Sequence, residues 1–265
     1  MERWIGKVAV ITGASSGIGS AIVLDLVKSG MIVVGLARRA ERVDELKKLI
    51  PANAQGELYA VKCDISNDHD VKTAFEWIEK KFGTVNVLVN NAGISTLSAI
   101  IDEGNDDELK RVILTNLWGL VSASKKFISI VRKQNVVGAH LININSILGH
   151  DVVQTPIGRK PVLNVYPGSK FGVTAVSEVL RQEFSYLGLK TKITSISPGL
   201  VTTEMTTKNG ADKMFKNTPS LKAEDISQAV LYALSTPEHV QVHEITIRPF
   251  DNGKFDMKSK VRSTL

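Results

Sequence analysis

The chain has 265 residues, 43% hydrophobic and 23% charged, which excludes collagen-like and disordered classes and is enough to bury a sizeable core without disulfides or metals. Its 33 Lys plus Arg outweigh 27 Asp plus Glu for a formal charge of +6, a balance that suits an anionic partner: a phosphorylated small molecule, a membrane surface or nucleic acid. A single cysteine, Cys63, precludes an internal disulfide and makes the cytoplasm the expected compartment. Met1-Glu2-Arg3-Trp4 lacks the layout of a signal peptide, and no apolar run approaches the roughly 20 residues of a membrane helix.

Short β-branched runs alternate with longer stretches of helical period. Residues 7–12 read as a strand buried on both faces, 17–29 as a helix closed by Gly30, and 31–36 as a second strand. A helix over 41–50 stops at Pro51, a third strand covers 58–63, and 68–82 is an amphipathic helix with Phe75 assigned to the core. Next come a strand over 86–90, one long helical region over 106–133, and a strand over 140–145. After a loop through Pro161 follow a helix over 166–187, a strand over 192–197, a helix over 223–234 and a last strand over 244–248. No linker or repeat interrupts the alternation, so one domain spanning 1–265 is expected. Such a pattern predicts an α/β doubly wound parallel sheet of Rossmann type, with right-handed crossovers and ligands at the carboxyl ends of the strands.

The first of those loops is Thr12-Gly13-Ala14-Ser15-Ser16-Gly17-Ile18-Gly19. Gly13 permits the tight turn, Gly17 lets backbone amides approach a pyrophosphate, and Gly19 lets helix pack on strand. The spacing Gly-x3-Gly-x-Gly differs from the standard dinucleotide fingerprint, so the turn gains its meaning from its place in a βαβ unit. Where NAD enzymes put an acid for the ribose 2′-OH, this chain has Arg38-Arg39, which suits a 2′-phosphate; NADP(H) is the expected cofactor. Two surface arginines on the following helix are the alternative. Asp64, with Ile65 beside it, is placed to meet an adenine amino group, and Asn90-Asn91-Ala92-Gly93 to run alongside the adenosine ribose and brace the strands. Ordinary turn chemistry is the alternative for each.

Tyr166 and Lys170 lie four residues apart at the start of a predicted helix and so share a face. A phenol is a poor acid or base at neutral pH, and a nearby ammonium stabilises the phenolate, making Tyr166 a proton donor or acceptor for a carbonyl or alcohol. Ser146, just past the fifth strand, is placed to bond the same substrate oxygen.

In this order, the glycine turn, Asn90-Asn91-Ala92-Gly93, Ser146 and Tyr166-Pro167-Gly168-Ser169-Lys170 resemble the short-chain dehydrogenase/reductase family over essentially the whole chain. The resemblance implies that Asn116 joins the catalytic group by holding a water between Lys170 and a proton relay, and that Tyr166 and Lys170 also touch the cofactor, Lys170 through the nicotinamide ribose. It implies that Pro198-Gly199-Leu200-Val201-Thr202-Thr203 orients the carboxamide through the Val201 backbone and the Thr203 side chain, and that helices 116–133 and 166–187 build homodimers or homotetramers. Pro167 departs from the family's usual small residue. Proline suits a first helical turn, so the helix is expected to begin at Tyr166, with extended backbone at Tyr166 itself. Shorter segments, among them Met1-Glu2-Arg3-Trp4 and Arg248-Pro249, resemble the branch with insect farnesol dehydrogenases and vertebrate dehydrogenase/reductase SDR family member eleven. That branch implies NADP-dependent action on isoprenoid alcohols or keto steroids.

Specificity is expected in segments 147–164 and 204–219, which carry Ile147, Leu148, Val152, Val153, Ile157, Met205, Met214 and Phe215 and suit an apolar alcohol or carbonyl. Packing of these residues onto the core is the alternative. His150 is a candidate substrate contact alongside Ser146 and Tyr166, or else a solvated loop residue. The five histidines show no metal-ligand spacing. The basic tail 254–262 reads as a solvated end, and the scattered charge gives no nucleic-acid signal. The expected activity is NADP(H)-dependent interconversion of an apolar alcohol, farnesol-like first and a keto steroid next, with its carbonyl. A non-catalytic NADP(H)-sensing protein is the rival from another class.

Overall fold

The computed structural model describes residues 1–207 and 218–250. Seven strands pair in parallel in the order β3-β2-β1-β4-β5-β6-β7. They are β1 (Val8–Thr12), β2 (Ile32–Ala37), β3 (Glu57–Lys62), β4 (Val87–Asn90), β5 (His140–Ile144), β6 (Lys192–Pro198) and β7 (Glu244–Ile247). The helices are α1 (Gly17–Lys28), α2 (Ala40–Glu45), α3 (Asp68–Phe82), α4 (Asp106–Ile113), α5 (Gly119–Lys133), α6 (Tyr166–Tyr186), the short α7 (Glu204–Thr207) and α8 (Ala223–Ser235).

The period-2 alternation of β1 assigns its two faces. Ala9 and Ile11 join Ile22, Leu26, Val230 and Leu234 of α1 and α8 in one core cluster. Val8 and Val10 join Phe75 and Ile78 of α3, Phe127 of α5 and Phe184 of α6 on the opposite side. Sandwiched between two helix layers, β1, β4, β5 and β6 are buried along their whole length, with the polar residues of β5 and β6, such as Asn143, Thr194 and Ser197, buried alongside the apolar ones. Because β1 lies between β2 and β4, the chain's winding reverses there, and a crevice opens above the carboxyl ends of β1 and β4.

Two predicted helices differ from observation. The region over 106–133 is broken into α4, a π-helical turn at Leu114–Trp118, and α5. The wider turn carries Asn116, which is 2% exposed, and Gly119 follows it against Ile65, where a Cβ would lie 2.8 Å from the Ile65 carbonyl oxygen. Hydrophobic period alone cannot register that single extra residue. The helix expected over 41–50 is α2 followed by a 3-10 turn, Leu46–Leu49. Of the segment expected to line the substrate, residues 208–217 with Met214 and Phe215 lie outside the described residues, as does the basic tail 254–262.

Candidate active site

At the end of β1 the Thr12 hydroxyl accepts bonds from the backbone N–H groups of Asn91 and Ala92, both at 3.0 Å, and Asn91 Nδ2 donates to the Thr12 carbonyl at 2.9 Å and the Gly13 carbonyl at 3.2 Å. The glycine turn is thus stitched to the turn after β4. Gly13 and Gly17 have φ of +67° and +56°, where a side chain is strained, and a Cβ on Gly19 would lie 2.3 Å from the Gly13 carbonyl oxygen. Ser16, next to Ser15, is extended ahead of α1 and makes no side-chain capping bond to the first N–H groups of that helix, and Ile18 packs onto the core. A glycine cradle at a helix N-terminus, at the point where the winding reverses, fits a dinucleotide pyrophosphate.

Arg38 and Arg39 are exposed just past β2. Arg39 Nη2 lies 3.3 Å from Glu204 Oε2, and Arg42 Nη1 lies 2.8 Å from Glu204 Oε1. Asp64 Oδ1 accepts from the Ser66 amide at 3.0 Å and the Ser66 hydroxyl at 2.6 Å, an arrangement that shapes the loop after β3, while Ile65 is buried. The Asn90 side chain braces the sheet: its Nδ2 donates to Asn143 Oδ1 at 2.9 Å and Ser124 Oγ at 3.0 Å, and Asn143 donates onward to Ser177. Gly93 lies against Asn116. Past β6, Gly199 donates to the Ile247 carbonyl, Val201 bridges to Leu221, and Thr203 lies over the glycine turn, its Cγ2 3.0 Å from where a Gly17 Cβ would be.

The polar cluster lies at the carboxyl end of β5. α6 begins at Tyr166 with Pro167 in its first turn, where a missing N–H leaves no helical bond unmade. Tyr166 is helical from its own position, against the extended backbone expected ahead of Pro167. Asn164 prepares that start from a left-handed φ of +39°. Its Oδ1 accepts from the Tyr166 amide at 3.2 Å, while its Nδ2 donates to Thr96 and Ser98 in the loop after β4.

One turn on, Lys170 is 5% exposed, and its Nζ donates to the Ile144 carbonyl at 2.9 Å and stands 5.9 Å from the centre of the Tyr166 ring. Burial pulls the ammonium down to about 8. Burial also pushes the Tyr166 phenol up, and a hydrogen bond with Ser146 pulls it back. Ser146 Oγ in turn accepts from the Leu148 amide at 3.1 Å. Asn116 holds the loop after β4 in both directions, with Oδ1 accepting from the Ile94 amide at 2.8 Å and Nδ2 donating to the Ile94 carbonyl at 2.9 Å and to Ser169 at 3.1 Å.

The structure therefore brings Ser146, Tyr166 and Lys170 together beside the cradle, with Asn116 bonded to Ser169 of the same helix. His150 turns elsewhere: its Nε2 lies 3.1 Å from Ser197 Oγ and 3.2 Å from Glu244 Oε1, pinning the segment after Ser146 to β6 and β7. Three contributors carry no sequence signature. Asn164 is one. Asn145 and Thr174 are the others: Asn145 Nδ2 donates to Thr174 Oγ1, which donates to the Gly149 carbonyl, both at 2.9 Å, locking the Ser146 loop onto α6.

Residues 7–214 match the short chain dehydrogenase family, and the chain belongs to it: it is an oxidoreductase of a family that works with nicotinamide cofactors on small molecules. Among its relatives, a farnesol dehydrogenase of Aedes aegypti is 50% identical over 252 residues, covering 94% of this chain and 98% of its own length. Human dehydrogenase/reductase SDR family member 11 is 35% identical, covering 94% of this chain and 96% of its own. An alcohol dehydrogenase from the archaeon Thermococcus sibiricus, solved as a complex with 5-hydroxy-NADP, superposes with a TM-score of 0.78 at 25% identity, covering 92% of this chain and 96% of that one. Among the described residues no helix is long and apolar enough to cross a membrane, and no cluster of His, Cys, Asp or Glu could hold a metal.

Proposed function

We propose that the protein interconverts an apolar alcohol and its carbonyl with NADP(H), farnesol-like isoprenoids being the first substrates to test. The observation that carries this reading is the meeting of the Ser146 hydroxyl, the Tyr166 phenol and the Lys170 ammonium at the carboxyl end of β5, beside a cradle built for a pyrophosphate. When bound, the nicotinamide supplies or accepts the hydride. Ser146 holds the substrate oxygen, and Tyr166 gives that oxygen its proton in reduction or takes it in oxidation. Lys170 keeps positive charge near the phenol, which favours the phenolate that burial opposes. Asn116, bound to the loop after β4 and to α6, keeps the two walls of the site in register and supports a relay to water.

Arg38 and Arg39 support the choice of NADP(H) over NAD(H), and the 5-hydroxy-NADP complex of the archaeal relative agrees with it. Exposed Leu97, Val152 and Val153, on loops after β4 and β5, and Met205, on α7 after β6, support an apolar substrate, as does the identity with the Aedes aegypti enzyme. A cytoplasmic homo-oligomer joined through α5 and α6 completes the reading. Initial rates with farnesol, farnesal and keto steroids, each with NADP(H) and NAD(H), test it. The expected result is fastest turnover of the isoprenoid pair with NADP(H); absence of turnover with all of them would leave the NADP(H)-sensing alternative.

A further inference from the structure

Glu204 is an acid from beyond β6 that reaches across the crevice to the cationic end of β2. Its two carboxylate oxygens divide between Arg39, at 3.3 Å, and Arg42, at 2.8 Å. The segment that carries it is the one lying over the glycine turn, with Thr203 against Gly17. Arg39 is also one of the two guanidinium groups available to a cofactor's 2′-phosphate, so a phosphate approaching it meets a carboxylate already in place. We infer that Glu204 is a specificity-determining residue: it competes with the 2′-phosphate for Arg39, and so sets how strongly the enzyme prefers the phosphorylated cofactor. The inference rests on the NADP(H) reading above.

The unequal distances indicate how the exchange proceeds. Glu204 stays with Arg42, its shorter partner, while Arg39 turns to the phosphate. All three side chains are between 37% and 44% exposed, so they can reorient without opening the core. A cofactor without the 2′-phosphate has no such exchange to make and ignores the carboxylate. The chain therefore carries, next to the arginines that attract the phosphate, a negative charge that limits the attraction.

Glu204→Gln keeps the shape and removes the charge. Dissociation constants for NADPH and NADH, read by quenching of tryptophan fluorescence on wild type and variant, test the idea without turnover. NADPH binding should tighten about three- to tenfold and NADH binding change less than twofold. Adenosine 2′,5′-bisphosphate should follow NADPH, and the gain should shrink at high salt as the charges are screened. Glu204→Ala should act alike, and thermal melting verifies that both variants fold. An NADPH-to-NADH ratio unchanged within twofold, or weaker NADPH binding, would overturn the inference. If wild type itself prefers NADH, it is the reading of Arg38 and Arg39 that fails, because the shift between wild type and variant is measured independently of the starting preference.

Discussion

The two ends of β5 each carry a buried basic group, and they behave differently. Lys170, at the carboxyl end, is 5% exposed, and His140, the first residue of the strand, is 1% exposed. Burial lowers both, Lys170 to about 8 and His140 to about 3, the latter helped by the nearby charges of Lys192 and Arg3. Thr194 Oγ1 donates to the Val242 carbonyl, so it must accept from His140 Nε2, and His140 Nδ1 is left as a buried acceptor without a partner. His140 is consequently neutral at any ordinary pH and serves packing. Lys170 keeps its proton close to neutral pH, and its bond to the Ile144 carbonyl leaves its charge beside the Tyr166 ring. Burial alone does not make a functional group; what matters is whether the shifted group still changes charge near the working pH and faces a crevice.

That contrast can be broken at several points. Tyr166→Phe should lower kcat by about 10³-fold while NADPH binding, read by fluorescence, stays within twofold; substantial residual turnover would falsify the role of the phenol. Lys170→Met should also cost most of the turnover yet raise stability. The folded-state value lies below the ordinary lysine value, so below pH 8 burial of the ammonium opposes folding. After subtraction of the lost bond to Ile144, the variant should gain about 1–2 kcal/mol in urea unfolding. The gain should disappear as pH rises from 8 towards 10.5, where wild type also folds and unfolds uncharged.

At the opposite end of the strand, acid should destabilise. His140 contributes nothing above pH 6.5, where folded and unfolded states are both neutral. Below 6.5 the unfolded chain takes up a proton that the folded one refuses until about pH 3, so stability should fall progressively across that window. His140→Gln should flatten the slope in urea titrations between pH 6.5 and 5. The smallest effect is expected at Thr174, where Thr174→Val cuts the link between Asn145 and Gly149. A loss of about 1 kcal/mol in stability and a severalfold drop in kcat, with the cofactor dissociation constant unchanged, should follow.

Much of the fold was readable because its signals are local. The β-branched run over 7–12 marked β1 as a strand buried on both faces, Gly30 stands where α1 ends, and Phe75 is in the core as its position in the helical period required. The glycine turn, Ser146, Tyr166 and Lys170 were legible for the same reason, since short-range spacing and strand ends place them. The π-helical turn at Leu114–Trp118 was not, because one additional residue in a turn leaves the apolar period nearly intact and is justified only by the Asn116 bonds to Ile94 and Ser169. Asn164, Asn145 and Thr174 escaped because their partners are brought to them by packing of separate elements.

The sequence by itself determined the alternation of strands and helices, the cradle at the first turn and the residue types able to move a proton, all of which follow from propensity, periodicity and the conformational freedom of glycine. Only the tertiary structure decided which polar groups were already engaged. It gave His150 to Ser197 and Glu244, Asn90 to Asn143 and Ser124, and Arg39 to Glu204. The physical reason is range: a hydrogen bond or ion pair acts over a few ångströms, and residues as distant in sequence as Arg39 and Glu204 come that close only when the sheet has wound both halves of the chain around one crevice.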